Sequence, residues 1–143
     1  MGQLIEVIPK TEYRFDGRTG TTQEIILRER IPTVAFASGV LLVRVHSTAN
    51  MSGTAAAKIE VLRQSESRFD PGTFFIQARG GGVEIASVTI DSSTSTPILL
   101  SDDFSVPIAA MVRVMLEWSQ GGTPAGADQI IVIGVDLVGR AGA

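Results

Sequence analysis

The feature that most constrains this chain is a two-residue rhythm. In Gly39–His46, Leu41, Val43 and Val45 fall on one side, with Leu42, Arg44 and His46 on the other. Ala57–Gln64 places Ile59 and Val61 opposite Lys58 and Glu60. Ala110–Trp118 sets Val112, Val114, Leu116 and Trp118 against Met111, Arg113, Met115 and Glu117. The last apolar stretch sets Ile131, Ile133, Val135 and Leu137 against Ile130, Val132, Gly134, Asp136 and Val138. Successive side chains of an extended chain point to opposite faces. Strict alternation of β-branched residues therefore specifies half-buried strands.

Weaker strand signals fill the gaps: Leu4–Ile8, Glu24–Ile31, Thr73–Ala78, Val83–Ile90 and Thr96–Leu100. Within Val83–Ile90 the apolar phase changes between Ile85 and Ala86, as a β-bulge requires. Turn chemistry separates the runs, at Asp16-Gly17, Asp70-Pro71-Gly72, Gly80-Gly81-Gly82, Asp91–Ser95 and Gly121-Gly122-Thr123-Pro124. The one helical candidate, Ser52–Lys58, is alanine-rich and short. The pattern predicts an all-β, antiparallel β-sandwich, jelly-roll-like, of eight or nine short strands. Residues 1–11, interrupted at Pro9, read as an extended N-terminal arm able to contact a partner. Residues 12–138 form a single sandwich domain, and 139–143 a flexible tail.

A chain of 143 residues can hold a core without covalent staples. It has to, since it contains no cysteine, which removes disulfides and thiolate metal sites. The net charge of −3 is mild and its signs are mixed, so no basic face suggests a nucleic-acid partner. The densest basic pair, Arg28 and Arg30, has Glu29 between its members. Apolar runs such as Ile130–Ile133 fall far short of the ~18 residues of a membrane span. No basic-then-apolar leader begins the chain, so no signal peptide is expected.

Catalytic chemistry finds little to work with. His46 is the only histidine, so it is expected as a surface or rim residue, not as part of a triad or a zinc site. Asp102-Asp103 is the only adjacent carboxylate pair, with Asp91 within reach across a turn, but it lacks the alternating spacing of dedicated calcium loops. Glu60 and Glu117 lie on polar faces near Arg44 and Arg113, where cross-strand ion pairing accounts for them. The triple glycine Gly80–Gly82 precedes no helix and matches no phosphate-binding pattern. No enzyme activity, metal or cofactor is expected.

Binding is the better prospect. Sugar-binding sandwiches stack exposed aromatic rings on pyranoses, and this chain has one tryptophan and one tyrosine. Trp118 is in phase with the core stripe, which leaves Tyr13, with Arg14 beside it, as the candidate ligand contact. Apolar residues are also left over on the face opposite the main stripe: Leu42, Met111, Met115, Ile130, Val132 and Val138. A monomeric sandwich solvates its outer face, so leftover apolar residues mark an interface. Loops or the first strand covering that face within one chain are the competing explanation. The interface reading predicts a symmetric homo-oligomer, a trimer above other states.

The strands Val40–Val45, Val112–Leu116 and Ile130–Leu137, in a small cysteine-free chain, resemble the jelly-roll decoration, cement and minor structural proteins of tailed bacteriophages. The resemblance covers most of the chain and rests on general character. It implies trimers seated on a capsid lattice, assembled in the host cytoplasm and carried in the virion, with the N-terminal arm or loop edges gripping the shell. A carbohydrate-binding module on a fibre or spike is the alternative.

Overall fold

Each alternating stretch becomes a strand. The computed structural model describes residues 2–16, 22–32, 38–51, 53–64, 83–105, 111–120 and 126–140. Its strands are β1 (Gly2–Phe15), β2 (Thr22–Pro32), β3 (Ser38–Ala49), β4 (Ala55–Gln64), β5 (Val83–Asp91), β6 (Ile98–Ser105), β7 (Met111–Gln120) and β8 (Gln129–Arg140). No helix occurs among the described residues.

Two antiparallel four-stranded sheets face each other, ordered β1-β8-β3-β6 and β2-β7-β4-β5. The pairing is nested. First pairs with last, second with seventh, third with sixth, and fourth with fifth. This is a long hairpin rolled up on itself, the jelly roll. The additional pairs β3–β8 and β4–β7 join the rolled hairpin into two continuous sheets.

The core is the stripe that alternation marks. Leu41, Val43 and Val45, Ile59 and Val61, Val112, Val114, Leu116 and Trp118, and Ile131, Ile133, Val135 and Leu137 are all buried. Each contributes about 1.5–3 kcal/mol by leaving water. Phe15 stacks on Trp118 with ring centroids 4.2 Å apart and planes 1° from parallel. Beside them the buried Gln129 donates from Nε2 to Gln120 Oε1 at 2.6 Å, which satisfies a polar pair inside the sandwich. At Gly39, the Phe104 ring and the Val138 carbonyl occupy the space where a Cβ would stand, 2.7 and 2.9 Å away.

Several expectations change on contact with the structure. Ala55, Ala57 and Lys58 belong to β4, not to a helix, because Ala55 and Ala57 are needed as small inward residues. The sixth strand begins later than Thr96–Leu100 implied and runs through Asp102 and Asp103 to Ser105. Of the expected arm, residues 2–11 are extended and lie along β8, with Gly2 opposite Arg140 and Thr11 opposite Ile133. Pro9 sits where that ladder shifts register, on an edge strand where a missing N–H is tolerated. Gly139 and Arg140 are part of β8. Residues 141–143, the expected strand Thr73–Ala78 and the turn residue Asp70 lie outside the described residues. The bulge read between Ile85 and Ala86 is present, where the β4–β5 register shifts from Val61↔Ala86 to Leu62↔Glu84.

Candidate interaction surface

Register places side chains on the outer face of the β1-β8-β3-β6 sheet row by row. Leu4, Val138, Val40 and Asp103 form one row, and Glu6, Asp136, Leu42 and Ser101 the next. Gly134, Arg44 and Leu99 follow, and then Glu12 and Val132. Arg14, Ile130 and Ala49 close the series. Leu4 is 69% exposed and Leu99 58%. Val40, Leu42, Ile130, Val132 and Val138 are half-buried. The result is an apolar strip that runs diagonally across four strands.

One ion pair interrupts it. Arg44 lies across Gly134 and binds Asp136 on β8, with the arginine side chain 42% exposed and the aspartate 8%. Gly134 makes that route possible, since a Cβ there would come within 2.6 Å of Arg44 Nη2. The guanidinium caps a sunken carboxylate that would otherwise be stranded among apolar neighbours.

The six residues read as one interface divide between the two sides of the sandwich. Leu42, Ile130, Val132 and Val138 share the face just described. Met111 and Met115 sit on β7, on the outer side of the opposite sheet. Met111 is exposed there, but Met115 is only 3% exposed and is covered by its own chain. Alternation identifies which residues of a strand share a face; it does not identify the sheet.

Tyr13 faces inward. It packs, half-buried, against the core cluster, and burial raises its phenol above its ordinary value. Arg14 turns outward and is held to Glu12 by a 2.9 Å ion pair. His46 is the residue skipped at the β3 bulge, between Val45 opposite Ile133 and Ser47 opposite Val132; it is half-buried, with Nε2 enclosed and without a hydrogen-bond partner. It lies within β3, which continues to Ala49 instead of ending at the histidine.

The opposite outer face carries a cluster of carboxylates around one lysine. Lys58 Nζ lies 2.5 Å from Glu84 Oε1 and 3.6 Å from Glu60 Oε2. Across the ladder Lys58 faces Glu117, which in turn faces Glu24 on β2. Burial, and after it a hydrogen bond with Glu84, pushes the Glu60 carboxyl up to about 7. The Lys58 hydrogen bond holds Glu84 below the ordinary range, and that same bond raises Lys58. Of the two arginines expected beside these glutamates, Arg44 is in the other sheet, whereas Arg113 shares this face on β7, one row along the ladder from Glu60; Lys58 is the cation paired with Glu60 and Glu84. Glu84 joins through the β5 bulge, and its meeting with Lys58 depends on the pairing of β4 with β5, which no local period reveals.

Two further carboxylates, Asp91 and Asp102, hold the backbone. Asp91 Oδ1 accepts from Ser93 N and Oγ at 2.9 and 2.5 Å, closing the turn after β5. The Ser93 hydroxyl, first among its partners, lowers its pKa. Asp102 Oδ2 accepts from Ser87 N at 2.9 Å and ties β6 to β5 across the edge of the sandwich. Among the described residues, no three His, Cys, Asp or Glu side chains gather as a metal site.

No protein-family model and no curated protein matches the sequence. Solved structures do match in shape. The infectious bursal disease virus VP2 subviral particle superposes with a TM-score of 0.56 at 14% identity, over 96% of this chain and 32% of that one. A structure of the Gx strain of that virus gives 0.54 at 13%, over 100% and 32%. The T13 particle of the same virus gives 0.51 at 13%, over 99% and 31%. This chain therefore shares its jelly-roll fold with proteins of virus particles, and it spans about a third of their length.

Proposed function

We propose that this chain is a structural protein of a virus particle, acting through protein–protein contacts and not through catalysis. The observation that carries the reading is the apolar outer face of the β1-β8-β3-β6 sheet, from Leu4 and Val138 through Leu42 to Val132 and Ile130. Four strands about 4.8 Å apart, over about 27 Å of strand, give the whole face, its charged residues Glu6, Glu12, Arg14, Arg44 and Asp103 included, a projected area of about 500 Å². Corrugation by side chains brings this toward the ~800 Å² per partner of a standard interface. Leu42, Ile130, Val132 and Val138 are the contact residues in this reading, and Met115 is not. The jelly-roll likeness to virus-particle proteins supports the same conclusion by analogy of fold.

In its finer form the reading is a decoration or cement protein of a tailed-bacteriophage capsid, a homotrimer whose closed ring buries the same strip three times over. In that form the edge strand β1, with Leu4 exposed on it, is the proposed contact with the shell. The alternative, a carbohydrate-binding module, has weaker support: among the described residues no aromatic ring is exposed, since Tyr13, Phe15, Phe104 and Trp118 are all half-buried or buried.

Light scattering at micromolar concentration tests the assembly reading. Wild type is expected as an oligomer, and Val132→Glu and Val138→Glu as monomers with unchanged circular dichroism. A wild-type monomer that also fails to bind particles would overturn it.

A further inference from the structure

The charged cluster on the opposite face has no part in that assembly surface, and its arrangement calls for a function of its own. Lys58 and Glu60 share the outer side of β4, and Glu84 reaches them from β5, the edge strand of its sheet. Glu60 is enclosed, its side chain only 12% exposed, beside the buried Met115. The facing charges are few and mostly negative: Glu117 and Arg113 on β7, with Glu24 beyond them on β2. Arg113 stands opposite Leu62, in the next row along the ladder from Glu60. Three carboxylates therefore crowd one ammonium group on β4 and β5 and their nearest neighbour.

We propose that Lys58, Glu60 and Glu84 form a proton-operated clamp on the edge strand β5. With a proton held between Glu60 and Glu84, the protonated carboxyl donates to its neighbour, Glu84 keeps its bond to Lys58, and β5 is fastened to β4. Without that proton two facing carboxylates repel, one of them poorly hydrated, and Lys58 can neutralise only one. β5 then loosens from an edge where, among the described residues, β4 is its ladder partner. The raised Glu60 and lowered Glu84 are the electrostatic mark of such a pair, in which one site keeps the proton and the other the cation. The pair titrates as a unit near neutrality, where a particle crossing between compartments meets a change in pH.

Hydrogen exchange of the full chain, followed by mass spectrometry at pH 5.5 and 8 and corrected for intrinsic rates, tests the clamp. In wild type, protection of the β5 amides is expected to fall about tenfold toward pH 8, the equivalent of one pKa unit once partial solvation has reduced the full shift. Glu60→Gln keeps the shape and the donor without the charge, and should hold β5 protection constant across that range. Glu84→Gln, which removes the facing carboxylate and leaves Lys58 to pair with Glu60, should also flatten the response. Protection in β3 and β8, in the other sheet, should not follow. A flat wild-type profile, or a fall of equal size in Glu60→Gln, would overturn the clamp. The readout is local to β5, so it stands or falls separately from the assembly reading.

Discussion

The crossing of Arg44 over Gly134 makes a quantitative prediction. Replacing a glycine inside a strand by alanine ordinarily stabilises a protein by about 0.5–1 kcal/mol, because the unfolded chain loses freedom. Here the new Cβ would stand 2.6 Å from Arg44 Nη2 and 3.2 Å from its Cζ and Nε. The guanidinium must swing away, and Asp136, with 8% of its side chain exposed, loses its cation. Breaking a fully buried pair costs ~3–5 kcal/mol and a surface pair ~0–1. With Arg44 42% exposed the value falls between, at about 2 kcal/mol. Gly134→Ala should therefore destabilise by about 1–1.5 kcal/mol net, or about 2–6 °C in melting temperature for a domain of this size. In an Arg44→Ala background nothing obstructs the methyl group, and the same change should be neutral or slightly stabilising. Urea unfolding followed by the fluorescence of Trp118, the only tryptophan, measures all four corners of the cycle. Equal effects of Gly134→Ala in both backgrounds would refute the crossing.

Other outcomes follow from the same geometry. Met115→Glu should destabilise by about 3 kcal/mol or more, since it puts a carboxylate in a covered site, whereas Val132→Glu should leave the thermal melt nearly unchanged and alter the oligomer size. Trp118→Ala, which empties the centre of the core and removes the stack on Phe15, should cost about 3–5 kcal/mol by chemical denaturation. For Glu60, whose folded value of about 7 exceeds 4.5, the stabilisation is complete at pH 4.5 and below and is lost as pH rises through 7. Partial solvation and the opposing shift of Glu84 reduce it to about 1 kcal/mol. Calorimetry at pH 5 and 8 should show wild type losing about 2–4 °C relative to Glu60→Gln.

Alternation alone determined a large part of this protein. The inward residues Leu41, Val43, Val45, Ile59, Val61, Val112, Val114, Leu116 and Trp118 and the stripe Ile131–Leu137 were identifiable because side-chain direction in a strand has a period of two and needs no partner to define it. The β5 bulge was visible for the same reason, as a break in phase. What only the tertiary structure decided is which strands share a sheet. The nested pairing separates Leu42 and Val132 from Met111 and Met115 by the thickness of the sandwich, covers Met115, and turns Tyr13 toward the core. It gives Arg44 to Asp136, distant in sequence, and Lys58 to Glu60 and Glu84. A period of two assigns residues to faces within a strand. The choice of neighbouring strand is made by the packing of the whole roll, and no stretch of ten residues contains that information.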